Sequence, residues 1–83
     1  MPLFMDIHNR VDGVTPQAAE AAHHRDLEVQ ARYGVRFIRY WYDEKTGKIF
    51  CLSEAPDREA ILATHREAHG LMPDDVVEVT EGV

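Results

Sequence analysis

Two histidines one helical turn apart are the side chains in this sequence that most directly indicate metal chemistry. His65 and His69 stand four residues apart in the run His-Arg-Glu-Ala-His, and residues at i and i+4 lie on the same side of a helix. Two imidazole nitrogens from adjacent turns make up half of many zinc or nickel sites. In the competing structural interpretation, His69 interacts with the carbonyl groups at the helix end and His65 packs near Ile61. The spacing alone leaves both interpretations open.

A second candidate pair lies near the start of the chain. Asp6 and His8 are two residues apart, so both project from the same face of a β-strand. The acid and the imidazole are either two ligands for one ion, or a ligand and the carboxylate that orients it. A solvated ion pair at the end of the strand is the competing interpretation.

His23, Cys51 and Glu54 complete the set of candidate metal ligands. His23 is followed directly by His24, and because consecutive helical residues point about 100° apart, the two cannot easily chelate one ion. Cys51 is the single cysteine; it is either a soft thiolate ligand or a small buried apolar residue. Glu54 is a further carboxylate ligand or a solvated acid. We expect His24 to be an ordinary surface histidine.

The charge balance excludes some partners and favours others. The 15 acidic residues outnumber the 9 basic ones, for a net charge of −6, and this disfavours nucleic acid and anionic membrane surfaces. Cations are more reasonable partners. A single cysteine favours a reducing compartment. Residues 1–6 do not resemble a signal peptide, and no apolar stretch of about 20 residues is present, so we expect a cytoplasmic protein.

Pattern changes along the chain predict elements in the order β-α-β-β-α-β within a single domain, residues 1–83. Thr15-Pro16 is typical of a helix start, and Gly34 and Gly70 are typical of helix ends. Asp26 falls inside the apolar stripe of the first helix. The order is that of the ferredoxin-like α+β sandwich, an antiparallel sheet with two helices on one face. The predicted strands are 3–8, 35–43, 49–53 and 75–80, and the predicted helices are 16–33 and 58–69.

One face of such a sheet is left uncovered, and this predicts self-association. In the first strand we expect the apolar set Leu3, Met5 and Ile7 to face the helices, which turns Asp6 and His8 outward. In the second strand, either choice of face exposes at least two large apolar or aromatic side chains. Burying them against a twofold copy removes the exposed patch, so we expect a homodimer.

Several segments resemble a family of small bacterial nickel-binding proteins. The most specific are His-Arg-Glu-Ala-His-Gly at 65–70 and Phe-Cys-Leu-Ser-Glu-Ala-Pro at 50–56, with further similarity at 6–8, 26–36 and 76–79. The resemblance implies a ferredoxin-like fold, a homodimer, a nickel ion held at the protein surface, and a role in sequestering or buffering excess nickel. The residues that match the family's recurrent polar positions are Asp6, His8, Cys51, Glu54, His65 and His69.

The expected topology limits how these residues combine. With the first and third strands taken as parallel, His8 and Glu54 lie toward one end of the sheet, and His65 and His69 toward the other. We therefore expect more than one metal site per subunit, some of them completed across a contact between subunits.

Two other functions compete with nickel binding. Small dimeric α/β-barrel enzymes of monooxygenase or isomerase type share this fold. In such an enzyme His8, Asp26, Cys51 and His65 would line a pocket between sheet and helices, with a histidine as general base. An interaction module with incidental histidines is the third possibility. No nucleophile elbow, phosphate loop or dinucleotide fingerprint appears in the sequence, so we expect a binding protein rather than an enzyme.

Overall fold

The predicted order of elements is present. The computed structural model describes residues 1–83, which form a four-stranded antiparallel sheet with two α-helices, the ferredoxin-like α+β arrangement expected from the sequence. Neither helix has the length and the apolar character that crossing a bilayer requires. The strands are β1 (Leu3–His8), β2 (Arg36–Asp43), β3 (Lys48–Glu54) and β4 (Asp75–Val79), and the helices are α1 (Pro16–Val29) and α2 (Arg58–Ala68).

Both helices begin where the sequence predicts. Thr15 caps α1 because its Oγ1 accepts a hydrogen bond from the backbone N–H of Ala18 at 3.1 Å, and Asp57 caps α2 in the same way. The first helix ends before the predicted residue 33, because Gln30–Tyr33 tightens into a 3₁₀ turn that Gly34 terminates with a φ of +71°. The caps fix where each helix begins relative to the sheet.

The two central strands of the sheet run antiparallel. The order is β2-β3-β1-β4, and β1 and β2 are both antiparallel to β3. This corrects the expectation that the first and third strands are parallel: the α1 crossover makes β1 and β2 parallel, and the β2–β3 hairpin then reverses the chain. The register pairs Asp6 with Cys51, Leu3 with Glu54 and His8 with Ile49. Glu54 therefore lies at the opposite end of the sheet from His8.

The first strand presents its polar side chains to the interior. Phe4, Asp6 and His8 are buried on the helix side, and the three apolar residues that alternate with them lie on the opposite face. The orientation expected from the sequence is therefore wrong. Alternation identifies the two faces of a strand but not which of them is covered. Here His65 on α2 supplies a hydrogen-bonding partner for Asp6, which offsets the free energy needed to bury a carboxylate.

A β-bulge in β2 changes the alternation of its side chains. The register shifts between Phe37 and Arg39, so that Phe37 and Tyr40 both face the helices while Trp41 faces away from them. Strict alternation would put Phe37 and Trp41 on the same face. The bulge places Tyr40 opposite Cys51, next to the polar interior.

The two faces of the sheet differ in how well they are covered. The core between sheet and helices is a cluster of buried apolar residues around Phe37 and Ile61. On the opposite face, which we call the outer sheet face, the side chain surface of Trp41 is 44% exposed and that of Val77 is 42% exposed. The register brings the apolar residues of this face together as one surface, formed by Leu3, Met5, Ile7, Trp41, Phe50, Leu52, Val77 and Val79.

Candidate metal centre

His65 is the centre of the polar interior. Its side chain is fully buried on α2 and has a carboxylate on each side. Nε2 lies 3.1 Å from Oδ1 of Asp6 on β1, and Nδ1 lies 2.9 Å from Oδ1 of Asp26 on α1. When the ring is protonated, it donates a hydrogen bond to each carboxylate. One side chain thus connects three elements of the fold.

The inner cluster lies on the sheet side of this ring and consists of Asp6, His8, Cys51 and His65. His8 Nε2 is 3.2 Å from Asp6 Oδ1. The donor atoms of the four residues lie within 4.8 Å of one another, and all four residues are buried. Oδ2 of Asp6 has no hydrogen-bond partner, so a buried acceptor inside this cluster is left over.

The outer cluster lies on the α1 side of the ring and consists of Asp26, His65 and His69. Asp26 Oδ1, His65 Nδ1 and His69 Nε2 form a triangle with sides of 2.9, 3.1 and 3.2 Å. The side chain of His69 is 12% exposed and is the most accessible of the three. The histidine pair at i and i+4 therefore converges on one carboxylate oxygen near the protein surface.

Hydrogen bonds between buried charges set the protonation states. Burial alone would lower the pKa of His65, but hydrogen bonds to Asp26 and Asp6 outweigh it and raise that pKa far above its ordinary value. Burial alone would raise the pKa of each carboxyl, yet hydrogen bonds from His65 and His8 lower the pKa of Asp6, and those from His65 and His69 lower the pKa of Asp26. At neutral pH the interior therefore holds one protonated histidine between two carboxylates.

Cys51 remains a thiol at neutral pH. Burial raises its pKa to about 11, although a hydrogen bond to His65 acts in the opposite direction. The thiolate, rather than the thiol, is the form that binds metals. Metal binding that includes Cys51 therefore requires the loss of the thiol proton in addition to the proton of His65, which belongs to both clusters.

A small cavity lies against both clusters. Its volume of about 20 Å³ is room for one water molecule. Asp26, His65 and His69 contribute to its wall, and His23 from α1 and Tyr40 from β2 also border it. The rings of His23 and Tyr40 pack together with their centroids 4.5 Å apart. Burial lowers the pKa of His23, although the charge of Asp26 acts in the opposite direction.

Most of the residues predicted to form the site lie together. The expectation that His8 lies at the opposite end of the molecule from the α2 histidines is wrong, because the rings of His8 and His65 contact each other at a centroid distance of 5.2 Å. The error follows from taking β1 and β3 as parallel. The predicted ligands that the two clusters contain are Asp6, His8, Cys51, His65 and His69.

Two predicted ligands lie outside both clusters. His23 borders the cavity but packs on Tyr40. Glu54 stands at the far end of the sheet, where it pairs with Arg36. His24, expected at the surface, is exposed and lies beside Glu20.

Asp26 is the candidate ligand that the sequence-based set did not include. Its position within the apolar stripe of the first helix is visible in the sequence. A buried carboxylate requires a hydrogen-bonding or charged partner, and the partners here are His65 on α2, 39 positions away, and His69, which directly follows that helix. The signal that could have identified Asp26 as a candidate ligand is therefore an acidic residue on the buried face of a helix.

Comparisons with known proteins identify relatives over nearly the whole chain. A family model described as "Nickel responsive protein SCO4226-like" matches residues 4–79, which include both clusters. The chain is also similar to a solved structure, the crystal structure of SCO4226 from Streptomyces coelicolor A3(2). The sequences are 37% identical, the match covers 98% of this chain and 99% of that chain, and the TM-score is 0.91. No match is found among curated proteins. The resemblance to a small bacterial nickel-related family is confirmed.

Proposed function

Because this chain belongs to the SCO4226-like family of nickel-responsive proteins, we propose that it binds Ni²⁺ through the outer cluster and buffers excess nickel without turning over a substrate. The observation that carries the proposal is the triangle of donor atoms of Asp26, His65 and His69, with sides of 2.9, 3.1 and 3.2 Å. Ligand atoms on one face of an octahedral ion bound at about 2.1 Å lie roughly 3.0 Å apart. The triangle therefore has the size of one face of a six-coordinate divalent ion.

The protonation states favour the outer cluster over the inner one. An ion in the outer cluster takes Nδ1 of His65, and the ring gives up one proton while its Nε2–H continues to donate to Asp6. An ion in the inner cluster needs in addition the proton of Cys51, whose pKa is raised to about 11. Because ligands must be deprotonated to bind a metal, the outer cluster has the advantage at neutral pH.

Asp6 then has the role of orienting a ligand rather than of binding the ion. Its Oδ1 accepts from Nε2 of His65 at 3.1 Å and also lies 3.2 Å from Nε2 of His8. A carboxylate behind a metal-binding histidine fixes the tautomer and the orientation of the ring. In this proposal His8 and Cys51 support that arrangement and do not contact the ion.

Nickel is the ion proposed because of the family, since the donor set suits several metals. Imidazole binds nickel, zinc and copper alike, and copper has the highest intrinsic affinity of the three. The partial exposure of His69 and the water-sized cavity beside the outer cluster support a site that exchanges its ion. Exchange is what a buffering role requires.

The size of the cavity argues against an enzyme with an organic substrate. A volume of about 20 Å³ is room for one water molecule. A general base also needs a free lone pair directed at the substrate, whereas both nitrogens of His65 are directed at carboxylates. Around His65, both features support the proposal of a binding protein over the monooxygenase or isomerase alternative.

The proposal includes a homodimer formed through the outer sheet face, in the cytoplasm. A continuous apolar surface that includes Trp41 and Val77 is the feature that supports self-association. The free and buried thiol of Cys51 is in keeping with a reducing compartment.

Native mass spectrometry and calorimetry with Ni²⁺ test the function directly. We expect one ion per chain, and Asp26→Asn or His69→Asn should weaken binding by at least about 10- to 100-fold. Cys51→Ser should leave the affinity within about twofold, since the thiol is not a ligand. The surface variant His24→Gln is the matched control, and circular dichroism verifies folding. Loss of binding in Cys51→Ser but not in Asp26→Asn would move the ion to the inner cluster, and no binding to the native protein would refute the function.

A further inference from the structure

The imidazole of His69 has a hydrogen-bond partner at each nitrogen. Nδ1 accepts from the backbone N–H of Leu71 at 3.0 Å, and Nε2 lies 3.1 Å from Oδ1 of Asp26. A neutral imidazole has one N–H and one lone pair. Because the Leu71 N–H occupies the lone pair of Nδ1, the proton of the neutral ring is on Nε2, where it donates to Asp26.

An ion in the outer cluster requires the other tautomer. A metal binds to a lone pair, so Nε2 must lose its proton, and the neutral ring then carries its proton on Nδ1. The Nδ1–H of His69 and the backbone N–H of Leu71 would then face each other, and Nδ1 could no longer accept a hydrogen bond from Leu71. We propose that capture of a divalent ion by His69 breaks its hydrogen bond with Leu71 and releases residues 70–73, so that this segment signals whether the site is occupied. The inference rests on the proposed function, since it takes the outer cluster as the metal site.

The segment 70–73 is held at both ends and at one point between them. The N–H of Gly70 donates to the carbonyl of His65 at 2.8 Å, and the N–H of Asp74 donates to the first strand, also at 2.8 Å. Between these two positions, the bond from Leu71 to the imidazole is the one hydrogen bond that the backbone N–H groups make. Breaking it therefore removes the contact that fixes the middle of the segment.

The segment also has the freedom to move once that bond is broken. Gly70 has a φ of +78°, and because a glycine adopts positive and negative φ values about equally readily, the backbone can change conformation there at low cost. Leu71 and Met72 follow it and are 41% and 38% exposed. Rotation at Gly70 would shift two apolar side chains on the surface, which converts metal occupancy into a change of surface shape.

Two substitutions at position 69 separate the hydrogen bond from metal binding. In His69→Asn the side-chain oxygen takes the place of Nδ1, so it accepts from Leu71 but offers nothing at the position of Nε2. In His69→Gln the side-chain oxygen takes the place of Nε2, so Leu71 loses its acceptor. His69→Asn should therefore keep segment 70–73 in place, and His69→Gln should release it even when no ion is present.

The test is hydrogen exchange of the Leu71 amide followed by NMR, with Zn²⁺ as the diamagnetic probe and calorimetry in parallel. In the native protein, exchange should become roughly three- to tenfold faster when Zn²⁺ binds, which corresponds to the loss of one hydrogen bond. The side-chain ¹⁵N spectrum should show the proton of His69 move from Nε2 to Nδ1. In His69→Asn exchange should stay slow with and without Zn²⁺, and in His69→Gln it should be fast in both cases.

The outcomes distinguish failure of this inference from failure of the proposed function. Calorimetric binding of Zn²⁺ to the native protein with unchanged exchange at Leu71 would overturn the release of the segment and leave metal binding intact. Absence of binding would overturn both. Slow exchange in His69→Gln would show that the hydrogen bond does not hold the segment, and would overturn the inference without reference to any ion.

Discussion

His65 and Asp6 contact each other through Nε2 and Oδ1 at 3.1 Å, at a place where neither side chain has any exposed surface. The pair joins α2 to the central strand β1, and the other ring nitrogen holds Asp26 on α1. Removing one partner of a buried ion pair leaves an uncompensated charge, which destabilises a protein more than the intact pair stabilises it. His65 on α2 and His69, the residue that follows this helix, therefore differ in their contribution to stability.

The first prediction compares alanine substitutions at these two positions. His65→Ala should lower the free energy of unfolding by about 3–5 kcal/mol, because two buried carboxylates lose their shared partner. His69→Ala should lower it by less than about 1.5 kcal/mol, because the side chain is partly exposed and shares its carboxylate with His65. Urea unfolding of the metal-free proteins measures both values.

A loss of the same size in both variants would show that the two rings are structurally equivalent. The double alanine variant, which the i and i+4 spacing suggests as a test of chelation, is unsuitable for that purpose. It would combine the loss of two ligands with a large loss of stability in a domain of only 83 residues. Single substitutions at Asp26 and His69 are the better tests of metal binding.

The second prediction concerns the pH dependence of stability without metal. The pKa of His65 is raised above its ordinary 6.5, so its contribution is fully present below pH 6.5 and is lost as the pH rises toward the folded-state pKa. The pKa values of Asp6 and Asp26 are lowered from 3.8, so their contributions are present above that pH and are lost as the pH falls. Metal-free protein should therefore be most stable between these two values.

Above pH 6.5 the free energy of unfolding should decline, by at most about 1.4 kcal/mol per pH unit from this group. Burial lowers the pKa of His23, so its own contribution makes stability rise with pH only up to about pH 6.5, and His23→Gln removes that contribution from the curve. Urea unfolding from pH 4 to pH 9 provides the curve. A free energy of unfolding that rises between pH 6.5 and 8.5 in the His23→Gln variant would contradict the charge state assigned to the interior.

The order and type of the elements followed from the sequence because each signal was local. The Thr15-Pro16 start, the glycine at position 34 and the alternation in β1 depend on neighbouring residues only. The direction of β3 relative to β1, in contrast, depends on how the chain is wound. The β-bulge that turns Phe37 and Tyr40 to the same face is also not evident from the local sequence pattern.

For the candidate site, which residues come together was more predictable than their geometry. The spacing of His65 and His69 and that of Asp6 and His8 each identified a pair correctly placed on one face. What the sequence could not indicate is that one ring lies between two carboxylates, since Asp26 and Asp6 are far from His65 along the chain. Polar residues were assigned to the solvent side of β1 because their buried partner came from another element.

The third prediction concerns proton release when nickel binds. His65 must give up one proton so that Nδ1 becomes available, and its pKa is raised by the two carboxylates. Affinity for Ni²⁺ should therefore increase by about tenfold per pH unit and continue to increase above pH 7.5, since one proton leaves for each ion bound. Calorimetry in buffers of different ionisation enthalpy measures the number of protons directly.

Histidines with the ordinary pKa of about 6.5 would give a different result. Their affinity for nickel would level off by roughly pH 7.5, with almost no proton released above it. Such a plateau would show that His65 is not among the ligands. Release of two protons per ion near pH 8 would instead implicate the thiol of Cys51, whose pKa is raised to about 11, and with it the inner cluster.

The fourth prediction is that the outer sheet face forms a homodimer without any metal. Trp41 and Val77 stand on this face on opposite sides of the two central strands, and both are more than two-fifths exposed, at 44% and 42%. A lysine within an apolar contact would be buried without a partner, so the combined variant Trp41→Lys, Val77→Lys should weaken the dimer by at least about 100-fold. Size-exclusion chromatography with light scattering at micromolar concentration measures the change.

The control for this experiment is Leu27→Lys, because Leu27 is an exposed apolar residue on α1, away from the sheet. It should leave the dimer intact, since a single exposed leucine on a helix is not part of a continuous apolar surface.

A native protein that is monomeric at micromolar concentration would refute the sheet-to-sheet contact. If a dimer forms only after Ni²⁺ is added, an ion that bridges two chains drives association, and the apolar residues of the outer sheet face do not. Because the outer cluster and the outer sheet face lie on opposite sides of the sheet, the lysine variant should still bind one ion per chain. That combination of a monomer with full nickel binding would separate the two properties within one molecule.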